Sequence, residues 1–492
     1  MNSHVLSKST FLYGCQCPKR LYLHKFKPSL RNPVEEGEEA IKIQGTSVGE
    51  LARDLFPGGV DASPPDSYSY HIAVNLTQTL IAQGETIIYE AAFQYDEVMC
   101  ALDILVKKGN AWYAFEVKST NRVKDLHVRD AALQHWVVTN SGIPLSDFSI
   151  VHLNNKYVRK GELDIHQLFT SESVLEEVLE EQPKVRQKVR ELKEMLALKE
   201  EPVVDIGPHC SIPYECDFTN HCWSHIPKED SVFELVRGAG YKLYKAGYKH
   251  LNDIPVDTQL PASAAMQLAH YRSGEVFIDH DAIREFLAPL TYPLYFFDFE
   301  TIMPGVPEFD DSHPYQQIPF QFSLHVRREA GAALEHYSFL GDGLSDPRQP
   351  LLNEMLRLLG TSGHIICYNM GFERSRIEEL AKLYPQFKSE LKAINGRLVD
   401  IMVPFARRLY YHPNFRGSFS IKKVLPVLAP HLTYDALPIA EGTMASLVYT
   451  QLKFQDAGKV AELRKQLLDY CEMDTRGMVE VLEALGRVMV NF

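Results

Sequence analysis

"LYFFDFET", residues Leu294–Thr301, is the stretch whose reading decides the fold of the C-terminal half. Apolar and aromatic residues fill it, as in a buried strand, yet it carries Asp298 and Glu300. Side chains two apart on a strand share a face. The two acids therefore stand side by side, while Phe297 and Phe299 pack the opposite face. Two such charges about 4 Å apart repel by roughly 4 kcal/mol at an effective dielectric of about 20. A cation between them is the expected remedy.

Outward from this strand, from about residue 291 to the C-terminus, strands alternate with helices, the pattern of an α/β domain. Three more acidic motifs follow in order. "HIICYNMGFERSRIEELA" reads as a strand, then Asn369 and Glu373, then a helix. "RLVDIM" places Asp400 at a strand end or helix start. "LLDYCEMDTRGMVEVLEAL" is a helix carrying Tyr470 and, one turn on and on the same face, Asp474. The chemistry that wants such a set is two-metal phosphodiester hydrolysis. Hard divalent cations take oxygen ligands, so Asp and Glu suit them. Taken singly, Asn369 can be a turn residue, Asp400 an N-cap and Asp474 an exposed helix acid; the ordered set is what points to a site.

"DFE", "YNMGFE", "LVDIM" and "YCEMD" resemble, in order, the motifs of the DEDD exonucleases, the DnaQ-like branch of the RNase H fold. The spacing Tyr470-x3-Asp474 is similar to the tyrosine subclass. The resemblance covers about 200 residues and implies hydrolysis from a 3′ end with Mg²⁺ or Mn²⁺. Asp298, Glu300, Asp400 and Asp474 would hold the metals, and Tyr470 would position the water. The family's second-motif aspartate is Glu373 here, one methylene longer. Asn369 is expected near the nucleic acid. In "GSFSIKKVLPVLAPHLTYDAL", Ser418, Ser420, Lys422 and Lys423, helped by Arg416, either contact phosphates or simply start a solvated helix.

In the N-terminal half, "YEAAFQYDEVMCALDILVKKGNAWYAFEVKST" reads as three strands, with a turn at Gly109-Asn110. Asp103 and Glu116 can share a cation across adjacent strands, and Lys118, on the face of Glu116, can polarise water or phosphate. This resembles a PD-(D/E)xK nuclease of the RecB type. "DAALQHWVVTNSG" is similar to that family's trailing helix motif, with Gln134 matching and Val138 in place of its tyrosine. "GTSVGELARDLFPGG" sits where the family carries a histidine ligand. Gly49 occupies that position, with Glu50 as the expected substitute.

Eight cysteines are unevenly spread. Cys100, Cys367 and Cys471 stand in apolar contexts and read as core thiols. "CQCPKRLYL" resembles the start of RecB-type nucleases with an iron–sulfur staple, including those linked to CRISPR adaptation. That resemblance implies a 4Fe–4S cluster on Cys17, Cys210, Cys216 and Cys222. Four thiolates also suit zinc, and His209, His221 and His225 keep that alternative open.

Farther along, "ESVLEEVLEE" and, after Pro183, "VRQKVRELKEMLALKEE" read as two helices, the first with a Ser173/Glu176 capping box. "LYKAGYKHLNDIP" reads as a helical connector or half of a helix-hairpin-helix turning at Gly247. The expected organisation is an α/β multidomain chain: 1–225 a RecB-type nuclease domain of restriction-endonuclease-like fold with the iron–sulfur cluster, 226–290 a helical connector, and 291–492 an RNase H-like DEDD exonuclease.

At 492 residues, 45% hydrophobic and 23% charged, the composition is that of an ordinary globular protein. Neither a membrane-spanning run nor a signal peptide is read, so the cytoplasm is the expected location. A net charge of −13 leaves nucleic-acid contact to local basic patches. The expected partner is nucleic acid, DNA before RNA, in repair, processing or defence. The alternative is a nucleic-acid-binding protein in which one or both sites have lost catalysis.

Overall fold

The computed structural model describes residues 5–33, 45–66, 69–434 and 436–490. It is a mixed α/β chain of two compact units, one comprising 1–225 with 304–315, the other 226–303 with 316–492. Among the described residues no helix is long and apolar enough to cross a membrane.

The first unit is built on β1 (Leu6–Ser7), β2 (Val60–Asp61), β3 (Ile87–Tyr95), β4 (Val98–Lys108), β5 (Ala111–Lys118), β6 (Leu145–Leu153) and β7 (Phe169–Ser173). They form one sheet in the order β2-β3-β4-β5-β6-β7, with β1 pairing β4. β3, β4 and β5 form an antiparallel meander. Gly109, at φ +61°, takes the tight turn between the last two. β5 and β6 are parallel, which requires the crossover helix Asp125–Asn140 between them. The central strands are buried on both faces, hence their near-continuous apolar runs. Leu102, Phe148, Trp136 and Val189 belong to the core on one side, and Ile104, Phe115, Val151 and Leu168 to the core on the other.

Two local expectations are corrected here. Residues Leu175–Leu198 form one helix with Pro183 inside it, not two. Pro183 lacks the N–H that would bond back one turn, but Val178, Val185, Val189, Leu192 and Leu196 are all buried along one stripe. Tertiary packing overrides the local break. The Ser173/Glu176 capping box does not form, because Ser173 ends β7 and turns its hydroxyl to Asp147.

Residues 304–315 leave the second unit and pack in the first. The Arg159 guanidinium donates to the carbonyls of Pro307 and Glu308 at 2.9 and 3.1 Å, and the Gly161 N–H donates to Asp310 at 2.8 Å. Tyr315 shares a 3.1 Å hydrogen bond with Ser119, next to Lys118.

The second unit holds β8 (Phe277–Ile278), β9 (Leu294–Ile302), β10 (Ile318–Arg327), β11 (Leu334–Leu340), β12 (His364–Cys367), β13 (Leu398–Asp400) and β14 (Tyr410–Tyr411). Five of them form a sheet in the order β11-β10-β9-β12-β13. β9 is antiparallel to β10 and parallel to β12, which is parallel to β13. Tyr295, Phe297 and Phe299 enter the core beneath one face of β9. The long helix Ala457–Val490 packs on β9 and β10. Gly363 admits no side chain at the entry to β12: a Cβ there would sit 2.0 Å from the Pro293 carbonyl.

The expected connector, 226–290, is compact with the residues that follow it. It has a small core of Val232, Leu243, Leu251 and Leu268, and β8 pairs with β14. Gln267 donates to the Glu234 carbonyl, and Arg416 reaches Glu229 at 3.2 Å. Gly247 takes a turn at φ +96°. The turn leads into a single 3-10 turn, Leu251–Asp253, and not into the second helix of a helix-hairpin-helix.

Candidate metal centres

In the second unit, alternation along β9 sends Asp298 and Glu300 to the face opposite Phe297 and Phe299. The long helix presents Tyr470, Cys471 and Asp474, the helix Gly371–Leu383 presents Glu373 from its first turn, and β13 ends in Asp400. Ligand atoms of Asp298, Glu300 and Cys471 lie within 4.8 Å of one another. The Cys471 thiol is 3.9 Å from an Asp298 oxygen. Cys471 is fully buried, as expected of a core thiol, and its sulfur also borders the acids.

The electrostatics are those of crowded acids. Burial, then the charges of Asp474, Glu373 and Glu300, push the Asp298 carboxyl well above its ordinary range. Burial and Asp474 raise Glu300 to about 8, with Lys422 opposing. Burial raises Glu373 to about 8, with Asp400 adding to it. Asp474 rises to about 6, again chiefly through burial, held back by the Tyr434 hydroxyl at 2.6 Å and by Lys422. Glu373 is 1% exposed, and its Oε2 has no hydrogen-bond partner. An orphaned buried carboxylate oxygen among other acids fits the donor set a divalent cation takes.

Asp400 accepts backbone N–H bonds from Asn369 and Met402, each 3.0 Å. Asn369 serves the turn, at φ +68°, and its N–H fixes Asp400. Of the two alternatives for Lys422, the structure does not give the solvated one: it points inward, donating to the Ala440 carbonyl at 2.6 Å and lying 5.7 and 5.9 Å from the Tyr434 and Tyr470 rings. Lys423 stays exposed. Tyr434 carried no recognisable signal, since it lies in an irregular stretch 40 residues before Asp474.

These shifts set a pH dependence. Where a carboxyl is raised in the folded state, that state binds more protons than the unfolded chain, so stability falls as pH rises. For Glu300 and Glu373 the window runs from the ordinary value of 4.5 to about 8. Between pH 6.5 and pH 8, where His127 and His325, both lowered by burial, no longer titrate, metal-free protein is expected to melt at a progressively lower temperature, its stability falling by a few kcal/mol in all. Millimolar Mn²⁺ should remove most of that slope. Melting curves across this range with EDTA and with Mn²⁺ check it, and a flat metal-free profile would sink it.

In the first unit Asp103 and Glu116 come together as the spacing predicts. Asp103 accepts from the Val117 N–H at 2.6 Å. Glu116, 1% exposed, accepts at one oxygen from Lys118 and from Lys8, both at 2.7 Å, while its other oxygen has no partner. Lys118 also reaches Asp130 at 2.5 Å. Burial alone would push Glu116 up, but Lys118 and Lys8 hold it down at about 2. Burial and the neighbouring Glu116 raise Asp103 to about 7.

Gln134 is fully buried and donates to Asp130 at 3.4 Å. Its amide N–H braces Asp130, the partner of Lys118, and its Oε1 is buried without a hydrogen-bond partner. Glu50 is exposed on the helix 45–52, whose Val48 and Ala52 face the core. Lys8 and Asp130 went unread. Asp130 stands one turn before Gln134, a findable signal, whereas Lys8 is 108 residues from its partner.

Cys17, Cys210, Cys216 and Cys222 line one cavity, with His209 at its wall. Gln16 donates to the carbonyls of His209 and Tyr214 at 2.8 and 2.7 Å, and Arg20 pairs with Asp217 at 2.7 Å. These bonds hold the early cysteine against the late three. Cys15 packs instead beside the main core. His221 faces Glu201 at 3.6 Å.

Residues 295–420 match the family model "Domain of unknown function (DUF2779)". The chain is 27% identical over 236 residues to "Uncharacterized protein UU173" of Ureaplasma parvum, covering 43% of this chain and 34% of the relative. It is 26% identical over 205 residues to "Uncharacterized protein MG366 homolog" of Mycoplasma pneumoniae, covering 38% and 31%. The chain thus spans about a third of the length of these curated relatives.

Proposed function

We propose that the chain is a metal-dependent nuclease with a DEDD-type exonuclease site in the second unit and a RecB-type site in the first. The observation that carries this reading is the carboxylate group of Asp298, Glu300, Glu373 and Asp474, brought together from three elements, each raised chiefly by burial, with the neighbouring acids adding to the rise at Asp298 and Glu300. The strand order, with β10 the antiparallel member, supports an RNase H-like fold. The meander followed by a helical crossover supports a PD-(D/E)xK fold in the first unit.

Asp298, Glu300, Asp400 and Asp474, joined by Glu373, are the residues that would hold Mg²⁺ or Mn²⁺. When bound, such ions supply an activated water and stabilise the leaving oxygen. The chain's own parts act around that chemistry. Tyr470 offers a hydroxyl beside Glu300, able to hold the attacking water in line. Tyr434 fixes Asp474, and the backbone of Asn369 and Met402 fixes Asp400. Lys422 offers a positive charge to the phosphate. The substrate class is nucleic acid, DNA before RNA, hydrolysed from a 3′ end. Cys17, Cys210, Cys216 and Cys222 fit a 4Fe–4S cluster, with zinc the alternative.

One observation favours a second reading for the first unit alone. Lys8 and Lys118 already compensate Glu116, which suits a domain that grips the strand without cutting it.

The test is hydrolysis of 3′- and 5′-labelled single- and double-stranded DNA and RNA, with Mn²⁺ and with EDTA. Cleavage from the 3′ end that requires Mn²⁺ is the expected outcome. Failure on every substrate at micromolar enzyme would overturn the enzymatic reading.

A further inference from the structure

A second group of metal-ligating side chains sits beside the acid cluster. His325 on β10 and His336 on β11 are directly opposed across the antiparallel pair, their ring centroids 4.5 Å apart. Glu472, on the long helix between Tyr470 and Asp474, brings a carboxylate oxygen to 3.8 Å from His336 Nδ1. Ligand atoms of the three residues lie within 4.8 Å of one another. A tetrahedral ion with bonds of about 2.0–2.1 Å needs ligand atoms about 3.4 Å apart, so small side-chain rotations close the gap.

The outer nitrogens of both imidazoles are already fixed. The Thr475 hydroxyl is 2.8 Å from His325 Nδ1, and the Ser323 hydroxyl is 3.0 Å from His336 Nε2. The two hydroxyls are 2.7 Å from each other. This leaves His325 Nε2 and His336 Nδ1 as the free donors, the orientation that supporting hydrogen bonds give to metal-bound histidines. Arg476, one turn on, turns its guanidinium to Glu480 at 3.4 Å. His336 and Glu472 are 28% and 48% exposed, so an ion has access from solvent.

We infer that His325, His336 and Glu472 form a Zn²⁺ site that ties the β10–β11 hairpin to the helix carrying Tyr470 and Asp474. Two imidazoles and one carboxylate, with a position left for water, suit zinc better than Mg²⁺ or Ca²⁺, which prefer all-oxygen shells. The ion clamps the helix between Tyr470 and Asp474. The site does not depend on the nuclease reading, since it is defined by binding alone.

The experiment uses full-length protein, EDTA-treated and desalted, then titrated with Zn²⁺. Bound zinc is counted by plasma mass spectrometry, and Co²⁺ spectra separate nitrogen–oxygen sites from thiolate ones. His336→Ala and Glu472→Gln are each expected to lose one equivalent of zinc while keeping the thiolate signal and the metal-free melting temperature. If either folded variant binds as much zinc as the parent chain, the three residues do not form the site. Should a variant not fold, diethyl pyrocarbonate labelling of the parent protein decides: Zn²⁺ should slow modification of His336 at least about tenfold. An unchanged labelling rate would overturn the inference.

Discussion

Asp298→Asn is expected to cut 3′-end hydrolysis by at least about 10³-fold, roughly 4 kcal/mol of transition-state stabilisation, while raising the melting temperature of the metal-free protein. Both effects follow from one arrangement. Asp298 stands where Glu300, Glu373 and Asp474 all act on it, and its carboxyl is held well above the ordinary range by burial and those charges. Asparagine keeps the shape and the contact with Cys471 but cannot carry the charge that a divalent ion needs. Metal affinity therefore falls with turnover. In the absence of metal the same change removes a buried acid that the fold tolerates at a cost, so the folded state gains. A merely structural Asp298 predicts the opposite pairing, with lost stability and no specific loss of turnover. Less than tenfold loss of cleavage with Mn²⁺, or a drop in metal-free melting temperature, would remove Asp298 from the centre of the site. Asp103→Asn is the companion change: it should leave 3′-end hydrolysis intact and abolish only cleavage belonging to the first unit.

Sequence reading went furthest where chemistry and periodicity coincide. Asp298 and Glu300 are two apart on an aromatic strand, and β9 has them on one face with Phe297 and Phe299 on the other. Asp103 and Glu116 were readable because the Gly109-Asn110 turn fixes the hairpin register. The same local logic failed at Pro183, where a buried stripe of valines and leucines outweighs a helix breaker, and at Ser173, which ends a strand instead of capping a helix. It had no purchase on contacts made across long separations. Lys8 finds Glu116 from 108 residues away, and Ser119 meets Tyr315 from 196 away. Lys422 shows a subtler limit. Its helix start was legible, but whether the ammonium turns outward to solvent or inward over Tyr434 and Tyr470 depends on residues that local pattern does not connect.

Cys216→Ser is expected to bleach the protein and to destabilise the first unit by several kcal/mol. Four thiols converge in one cavity from two ends of that unit, Cys17 at one and Cys210, Cys216 and Cys222 at the other. The 3-10 turn Pro208–Cys210, the short helix Thr219–Cys222 and the irregular chain around them offer little regular structure to hold Cys210–Cys222 against the N-terminal helices. Among the described residues, a small apolar cluster of Tyr22, Leu23, Cys216 and Phe218, with Leu30, Met195 and Cys222 packed against it, supports this end. Burial pushes the Cys216 thiol up to about 11, so an apoprotein keeps neutral thiols there, whereas a bound metal takes thiolates and binds only the folded form. Binding of that kind is folding free energy, apparent values of about 10–16 kcal/mol being known for structural zinc in small peptides. Removing one ligand forfeits a large share of it. The expected parent protein is brown, with iron and acid-labile sulfide in equal amounts, and Cys216→Ser loses the colour together with its upper melting transition. Cys15→Ser, which changes a thiol packed against the main core, should keep the colour. A colourless parent holding one zinc per chain at these cysteines would convert the assignment to zinc. If the parent holds neither metal and Cys216→Ser melts like it, the four cysteines are only neighbours, and the hydrogen bonds of Gln16 and the Arg20–Asp217 pair hold the two ends together unaided.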